Sequence, residues 1–294
     1  MDFPLVSVIV ATYRRNNELE RAIISLQAQT YENIEVIIVD DNDKKEWNEI
    51  VSKIVERYSI SINLIYIQNH PNKGSACSRN IGISNAKGVY ITFLDDDDEY
   101  LPNKIKEQVD AMSKNKADYS ITDLALYDDN GKLVETRNRV FLKSPESELL
   151  TCHLKYHLTG TDTFMFKRDY LYKLGGFDEI DIGDEFYLML KAINKQGAFI
   201  YIETCSVKAY VHNSDGGLST GDKKIDGENI LFEYKKKYFP QLKKQDIRYI
   251  KMRHYAVLAY ASIHKKRYLK TIVYGIRCVL SSPIGFFSLI KERG

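Results

Sequence analysis

The chain has 294 residues, 44% hydrophobic and 28% charged, with a formal net charge of +2, an ordinary balance for a soluble globular protein. Its length suits one large α/β domain with an appendage, or two modest domains. Cys77, Cys152, Cys205 and Cys278 are scattered without CxxC or CxxxH spacing, which argues against a disulfide framework or a zinc site. No apolar run approaches the roughly 18 residues of a membrane span. An acidic residue precedes the N-terminal apolar run and no small-residue cleavage site follows, so that run reads as a first strand rather than a signal peptide.

In chain order, 5–10 is a β-branched strand pattern and 17–29 carries apolar residues at helical spacing (Leu19, Ala22, Ile23, Leu26). Strand patterns follow at 34–39, 62–67 and 89–94, with helix patterns at 47–58, 75–86 and 103–113. Nearly continuous apolar strands separated by amphipathic helices predict a parallel sheet covered on both faces. Pro102 stands at the first turn of the 103–113 helix, where its missing N–H costs nothing. From 117 to 141, short alternating segments around Asp129-Asn130-Gly131 predict antiparallel strands. Leu174 to Asp178 reads as a turn, 184–193 as an amphipathic helix, 198–202 and 206–211 as two short strands, and 213–224 as a Gly/Ser/Asp-rich loop. The remainder is helical and basic.

Charge is distributed unevenly. Residues 235–294 hold 15 Lys/Arg against 2 Asp/Glu, leaving 27 against 38 in the first 234. A basic segment interleaved with aliphatic and aromatic residues suggests a polyanionic partner, and the interleaving favours an anionic membrane surface over nucleic acid. A solvated helical hairpin, packed on the rest of the chain or on a second copy in a homo-oligomer, is the simpler alternative. The 21 tyrosines suit sugar, nucleotide or membrane-interface contacts.

Ligands of open α/β sheets bind at the carboxyl ends of the strands. The polar clusters fall there: Ala11-Thr12-Tyr13-Arg14, Asp40-Asp41-Asn42-Asp43, and Asp95 to Asp98. Clustered carboxylates suit a hard divalent cation, Mg²⁺ or Mn²⁺, whose shell phosphate oxygens and water would complete. This suggests a phosphorylated substrate. There is no GxGxxG or GxxxxGK[ST] pattern, which argues against a Rossmann dinucleotide site or a P-loop.

SVIVATYRR, VIIVDDND, NKGSACSRNIGISNAKG and YITFLDDDDEYLPNKI, in this order, with GGFDE at 175–179 and GDEFYLMLK at 183–191, resemble the family 2 glycosyltransferases. The resemblance covers roughly the first 215 residues; the tail is similar only to the variable extensions of such enzymes. It implies an α/β, GT-A fold, Rossmann-like with a mainly parallel central sheet flanked by helices, and a basic helical C-terminal extension. It places the catalytic domain at 1–234, with a nucleotide-binding half at 1–115 and an acceptor half at 116–234, and the basic region at 235–294.

The activity it implies is inverting, metal-dependent transfer from a UDP- or dTDP-sugar to a saccharide or lipid-linked acceptor at the cytoplasmic face of the cell membrane. Carried over by position, Ala11, Thr12 and Tyr13 would line the base pocket, Asp40 would accept from the base, and Arg79 would contact the nucleotide. Alignment on Pro102 puts Asp95 at the ribose, Asp97 on the metal and Asp96 in the variable position. His212, before a glycine-rich loop, would ligate the metal or touch a phosphate. The family's base is the Asp of a Glu-Asp pair opening a helix; here the order is Asp184-Glu185. Spacing favours Glu185 and residue type Asp184. For each of these residues a structural role competes, as helix capping for Asp40, an ion pair for Arg79 and macrodipole charges for Asp184 and Glu185. Two other functions share the strand-end carboxylates, a nucleotidyltransferase and a non-catalytic nucleotide- or ion-binding module.

Overall fold

The computed structural model describes residues 3–144, 148–180, 183–211 and 221–291, without the side chains at 221–224, 288, 290 and 291. The chain divides into two compact units, Met1–Pro145 with Thr159–Asn213, and Glu146–Leu158 with Ser214–Gly294.

The first unit begins with alternating strands and helices: β1 (Val6–Thr12), α1 (Asn17–Gln27), β2 (Ile34–Asp40), α2 (Lys45–Tyr58), β3 (Leu64–Gln68), α3 (Ser75–Asn85) and β4 (Tyr90–Phe93). β1, β2 and β4 are buried almost throughout, as their unbroken Val/Ile content requires of strands covered on both faces. β1 pairs in parallel with β2 and β4, and β2 with β3. The register sets Thr12 beside Asp40, so the polar strand ends stand side by side on one rim. The core is built from Val6, Val8, Val10, Leu19, Ile23 and Val36 with their neighbours.

The rest of the sheet is mixed. β5 (Glu99–Tyr100), α4 (Lys104–Asn115) and the hairpin of β6 (Tyr119–Asp128) with β7 (Leu133–Arg137) follow. After α5 (Leu149–Tyr156), which belongs to the second unit, come β8 (Phe164–Lys167), α6 (Arg168–Leu174), α7 (Asp184–Asn194) and β9 (Phe199–Val211). The strand order is β3-β2-β1-β4-β8-β6-β9-β5, with β7 on β6. α5, β8 and α6 have no counterpart in the sequence reading. The two strands expected over 198–211 are one strand, β9. Its pairing jumps from Thr122↔Ile202 to Asp123↔Cys205, so Glu203 and Thr204 form an irregularity inside a continuous ladder.

The second unit is helical: α5, α8 (Gly221–Lys236), α9 (Lys244–His264), α10 (Tyr268–Ser281) and α11 (Pro283–Lys291). His254 stacks on Phe232 at 4.0 Å and bonds Glu228 through Nδ1 at 3.0 Å. Lys155 pairs with Asp246 at 2.8 Å. Lys235 is buried here, and desolvation lowers its pKa to about 8. Among the described residues no helix is long and apolar enough to cross a membrane.

Candidate active site

Each strand end on the rim carries a carboxylate network. Asp40, fully buried at the end of β2, accepts at Oδ1 from the backbone and side-chain amides of Asn42, at 3.0 and 2.7 Å, and at Oδ2 from Asn48 and Tyr66, at 2.9 and 2.6 Å. Four donors match the roughly four acceptor positions of a carboxylate. Burial, and then Asp40, push the Tyr66 phenol above its ordinary value. Asp41 accepts from Asn69 and from the backbone N–H groups of Lys73 and Gly74, all within 2.9 Å, and thereby shapes the loop that opens α3.

α3 lies close against β1 because residue 82 is glycine: a Cβ there would collide with Ile9. From this helix Arg79 reaches the rim, 9% exposed. One guanidinium nitrogen donates to Asp95 at 2.6 Å and the other to Asp184 at 2.8 Å, with the Phe177 ring 5.4 Å away. Desolvation opposes this cation, but Asp95 and Asp184 outweigh it and hold its pKa above the ordinary value.

The four aspartates have separate surroundings. Asp96 accepts at Oδ2 from the Thr12 hydroxyl at 2.8 Å and the Tyr13 N–H at 3.2 Å, and at Oδ1 from Arg15 at 3.2 Å. Burial, only partly offset by Arg15, pushes its carboxyl up to about 7. Asp97 forms an ion pair with Arg15. Asp98, buried, accepts from the Tyr210 N–H at 2.9 Å; burial first, and then the charge of Asp162, to which it also hydrogen-bonds, raise it well above the carboxylate range. Asp95 receives the remaining charge of Arg79, yet desolvation still raises it.

Asp162, in the Thr161–Thr163 turn before β8, completes the cluster. Its Oδ1 accepts from the Asp95 N–H at 2.6 Å, and burial followed by the Asp95 charge pushes its carboxyl up to about 7. Asp95, Asp98 and Asp162 each offer an oxygen, all within 4.8 Å of one another. Such an all-oxygen set fits a hard divalent cation, whose charge would offset the desolvation that raises these carboxyls. Lys104 lies fully buried alongside, donating to Thr92 at 2.5 Å and Tyr100 at 2.7 Å. Desolvation holds it well below the ordinary lysine value, with Asp162 opposing.

Opposite this cluster, the Gly175-Gly176 turn is pinned by Asn80, which donates to the Phe177 carbonyl and accepts its N–H, both at 2.8 Å. Gly176 has φ of 68° with Asn80 against its α-carbon, a conformation suited to glycine. α7 then starts with Asp184 and Glu185, acidic residues favoured at a helix N-terminus. Asp184 is buried; its carboxyl rises to about 7, through burial first and the neighbouring Glu185 as well, with Arg79 opposing.

The structure therefore gathers Thr12, Tyr13, Arg79, Asp95, Asp96, Asp97 and Asp184 into one network, with Ala11 half-buried on β1 and Glu185 next to Asp184. Asp40 anchors the adjoining strand end. Tyr13 is the exposed aromatic of the set, with Arg14 over its ring at 4.7 Å. His212 and residues 213–220 of the expected loop lie outside the described residues, and 221–224, read as loop from the sequence, open α8 instead. Arg15, Lys104 and Asp162 were not singled out by the sequence. Arg15 stands in the quoted SVIVATYRR run, whereas nothing in the pattern around Asp162 marks it.

Residues 7–175 match the family described as Glycosyl transferase family 2. An uncharacterized glycosyltransferase of Methanocaldococcus jannaschii is 31% identical over 222 residues, 74% of this chain and 75% of that protein. The UDP-Glc:alpha-D-GlcNAc-diphosphoundecaprenol beta-1,3-glucosyltransferase WfaP of Escherichia coli is 38% identical over 116 residues, 40% of this chain and 44% of its own length. The crystal structure of Staphylococcus aureus TarS 1–349 superposes with a TM-score of 0.62 at 17% identity, over 98% of this chain and 88% of that one. The same fragment in complex with UDP gives 0.57 at 18% identity, over 92% and 88%. The chain belongs to glycosyl transferase family 2. It is a glycosyltransferase with the GT-A fold, a mixed sheet flanked by helices and followed by C-terminal helices.

Proposed function

We propose that this enzyme moves a sugar from a UDP- or dTDP-sugar to a hydroxyl of a saccharide or lipid-linked acceptor. Transfer inverts the anomeric centre and serves cell-surface polysaccharide or glycoconjugate assembly at the inner face of the cell membrane. The observation that carries this reading is the Arg79 clamp, one buried cation tying Asp95 at a strand end to Asp184 at the start of α7. It couples a nucleotide side to an acceptor side across a single hydrogen-bonded bridge. The UDP complex of TarS and the diphosphoundecaprenol-linked acceptor in WfaP's name support the donor and acceptor classes.

In this reading Ala11, Thr12 and Tyr13 border the base, and a pyrimidine N–H replaces one of the four donors now held by Asp40. Asp95 meets the ribose, and Arg79 holds it there through the 2.6 Å ion pair. A divalent cation, Mn²⁺ or Mg²⁺, when bound supplies charge compensation for the diphosphate and for the leaving group. The carboxylates that would hold it are Asp97, on exchanging Arg15, or the Asp95–Asp98–Asp162 set, which the oxygen proximity favours; His212 is a further candidate ligand. Glu185 is the proposed base, because Asp184 is committed to Arg79 at 2.8 Å. It takes the acceptor hydroxyl proton as that oxygen bonds to the anomeric carbon. The bond from that carbon to the diphosphate oxygen breaks and its electron pair leaves with the nucleoside diphosphate.

The test is a panel of UDP- and dTDP-sugars incubated with the full chain and Mn²⁺ or Mg²⁺, assayed for nucleoside diphosphate release. Release from one member, abolished by EDTA and restored by the cation, is expected. Binding without release across the panel would reduce the protein to a binding module, and pyrophosphate release from a nucleoside triphosphate would make it a nucleotidyltransferase.

A further inference from the structure

Among the described residues, the helical unit has an apolar face that is exposed. On α10, Leu269, Ile272, Val273, Ile276 and Leu280 are all exposed, Leu269 by 82% and Leu280 by 71%. Their spacing of three and four residues puts them on one stripe of the helix. The opposite side of α10 is the packed one: Cys278 is buried with its Sγ 3.3 Å from the Met252 carbonyl, and Tyr274 stacks on Tyr255 of α9. Beyond Pro283 the exposed apolar series resumes on α11 with Ile284 and Phe287. Ordinary surface helices do not present five large aliphatic side chains in a row to water.

The charges around this stripe identify what covers it. Lys265, Lys266 and Arg267 cluster at the N-terminal end of α10, and Lys270 and Arg277, seven residues apart, follow one edge. No Asp or Glu occurs between Asp246 and Glu292. A two-fold contact with a second copy would bring the same cations near one another with no acidic partner from this segment. At 14 residues α10 is too short to span a bilayer, yet it has the makeup of a helix lying in the interface, aliphatic on one side and cationic at the margin.

We propose that the α10–α11 face is a docking surface for an anionic lipid bilayer, with the aliphatic stripe seated among the acyl chains and the flanking lysines and arginines at the headgroups. The inference deepens the membrane location of the proposed function but stands on the helical unit alone, independently of the donor chemistry.

The experiment is flotation of the full chain with vesicles of phosphatidylcholine alone and of phosphatidylcholine mixed with phosphatidylglycerol. Binding to the mixed vesicles, weakened by salt, is expected. Ile272→Asp/Ile276→Asp and the milder Leu269→Ser/Leu280→Ser should each abolish flotation while keeping the wild-type melting temperature and nucleoside diphosphate release in vesicle-free buffer. Lys266→Glu/Lys270→Glu should weaken binding by roughly five-fold or more per cation. Variants that float like the wild type overturn the proposal. So does a wild-type chain that ignores the mixed vesicles, and one that light scattering shows to be a dimer split by Ile272→Asp/Ile276→Asp assigns the face to a second copy instead. Failure of sugar transfer with intact flotation would count against the proposed chemistry only.

Discussion

Arg79 shows how much one side chain can organise. Its planar fork satisfies two carboxylates from different elements at once, which an ammonium on a flexible stem cannot reproduce. Arg79→Lys should lower kcat/KM by roughly a hundred-fold, the scale of a small misplacement of reacting groups, in a nucleoside diphosphate release assay. Arg79→Ala leaves Asp95 and Asp184 without their cation and should destabilise the fold by about 3–5 kcal/mol, measured by urea denaturation. Glu185→Gln should cost roughly 10²- to 10⁴-fold in kcat, the range of a lost general base, while Asp184→Asn loosens the clamp and acts on KM as well. If Asp184→Asn were the inactive variant and Glu185→Gln the active one, the two roles would have to be exchanged. Asp162→Asn and Asp97→Asn separate the two sets of proposed cation ligands: the true set raises the Mn²⁺ concentration needed for half-maximal activity. The DDDD run and the acidic start of α7 were legible because charge abutting an apolar strand or opening a helix is a local pattern. Asp162 was not, because its carboxylate meets Asp95 across 67 positions, through a short turn that leaves no periodic mark.

At the scale of elements, the βα alternation through β4 was legible because strands buried on both faces and helices buried on one have distinct periods. The region from 142 to 173 defeated that logic. β8 is four residues, Phe-Met-Phe-Lys, largely buried, too short to show a period. β9 looked like two strands because the residues interrupting its pattern lie at a change of register. Lys104 likewise gives α4 a cation on its buried face, where a helical pattern assigns solvent. The contact of α3 with β1 through Gly82 is the element-level device that aims Arg79. Gly82→Val should therefore force Ile9 aside and destabilise by about 1–3 kcal/mol, the usual cost of overpacking, with activity falling further than stability alone explains. Full activity in that variant would mean that the aim of Arg79 does not depend on this contact.

Across the whole molecule, acidic and basic charge are segregated: 27 Lys/Arg against 38 Asp/Glu up to residue 234, and 15 against 2 after it. The acidic part contains buried carboxyls whose folded pKa lies above the ordinary 3.8, at about 7 for Asp96, Asp162 and Asp184. The folded chain then binds more protons than the unfolded one between those limits, so stability falls as pH rises through this window. The loss from these groups is absent below the unfolded value and complete above the folded one. In EDTA the melting temperature should decline from about pH 5 to pH 8, and added Mn²⁺ should flatten the decline. A melting temperature that climbs over this range in EDTA would contradict the assigned directions. The hydrogen bond between the carboxyls of Asp98 and Asp162 has a last consequence, because one hydrogen occupies a place that suits a metal ion. If the proposed cation loads there, it would expel that hydrogen into the buffer, so the heat of a Mn²⁺ titration should vary with the buffer's ionisation enthalpy and the affinity should weaken in acid.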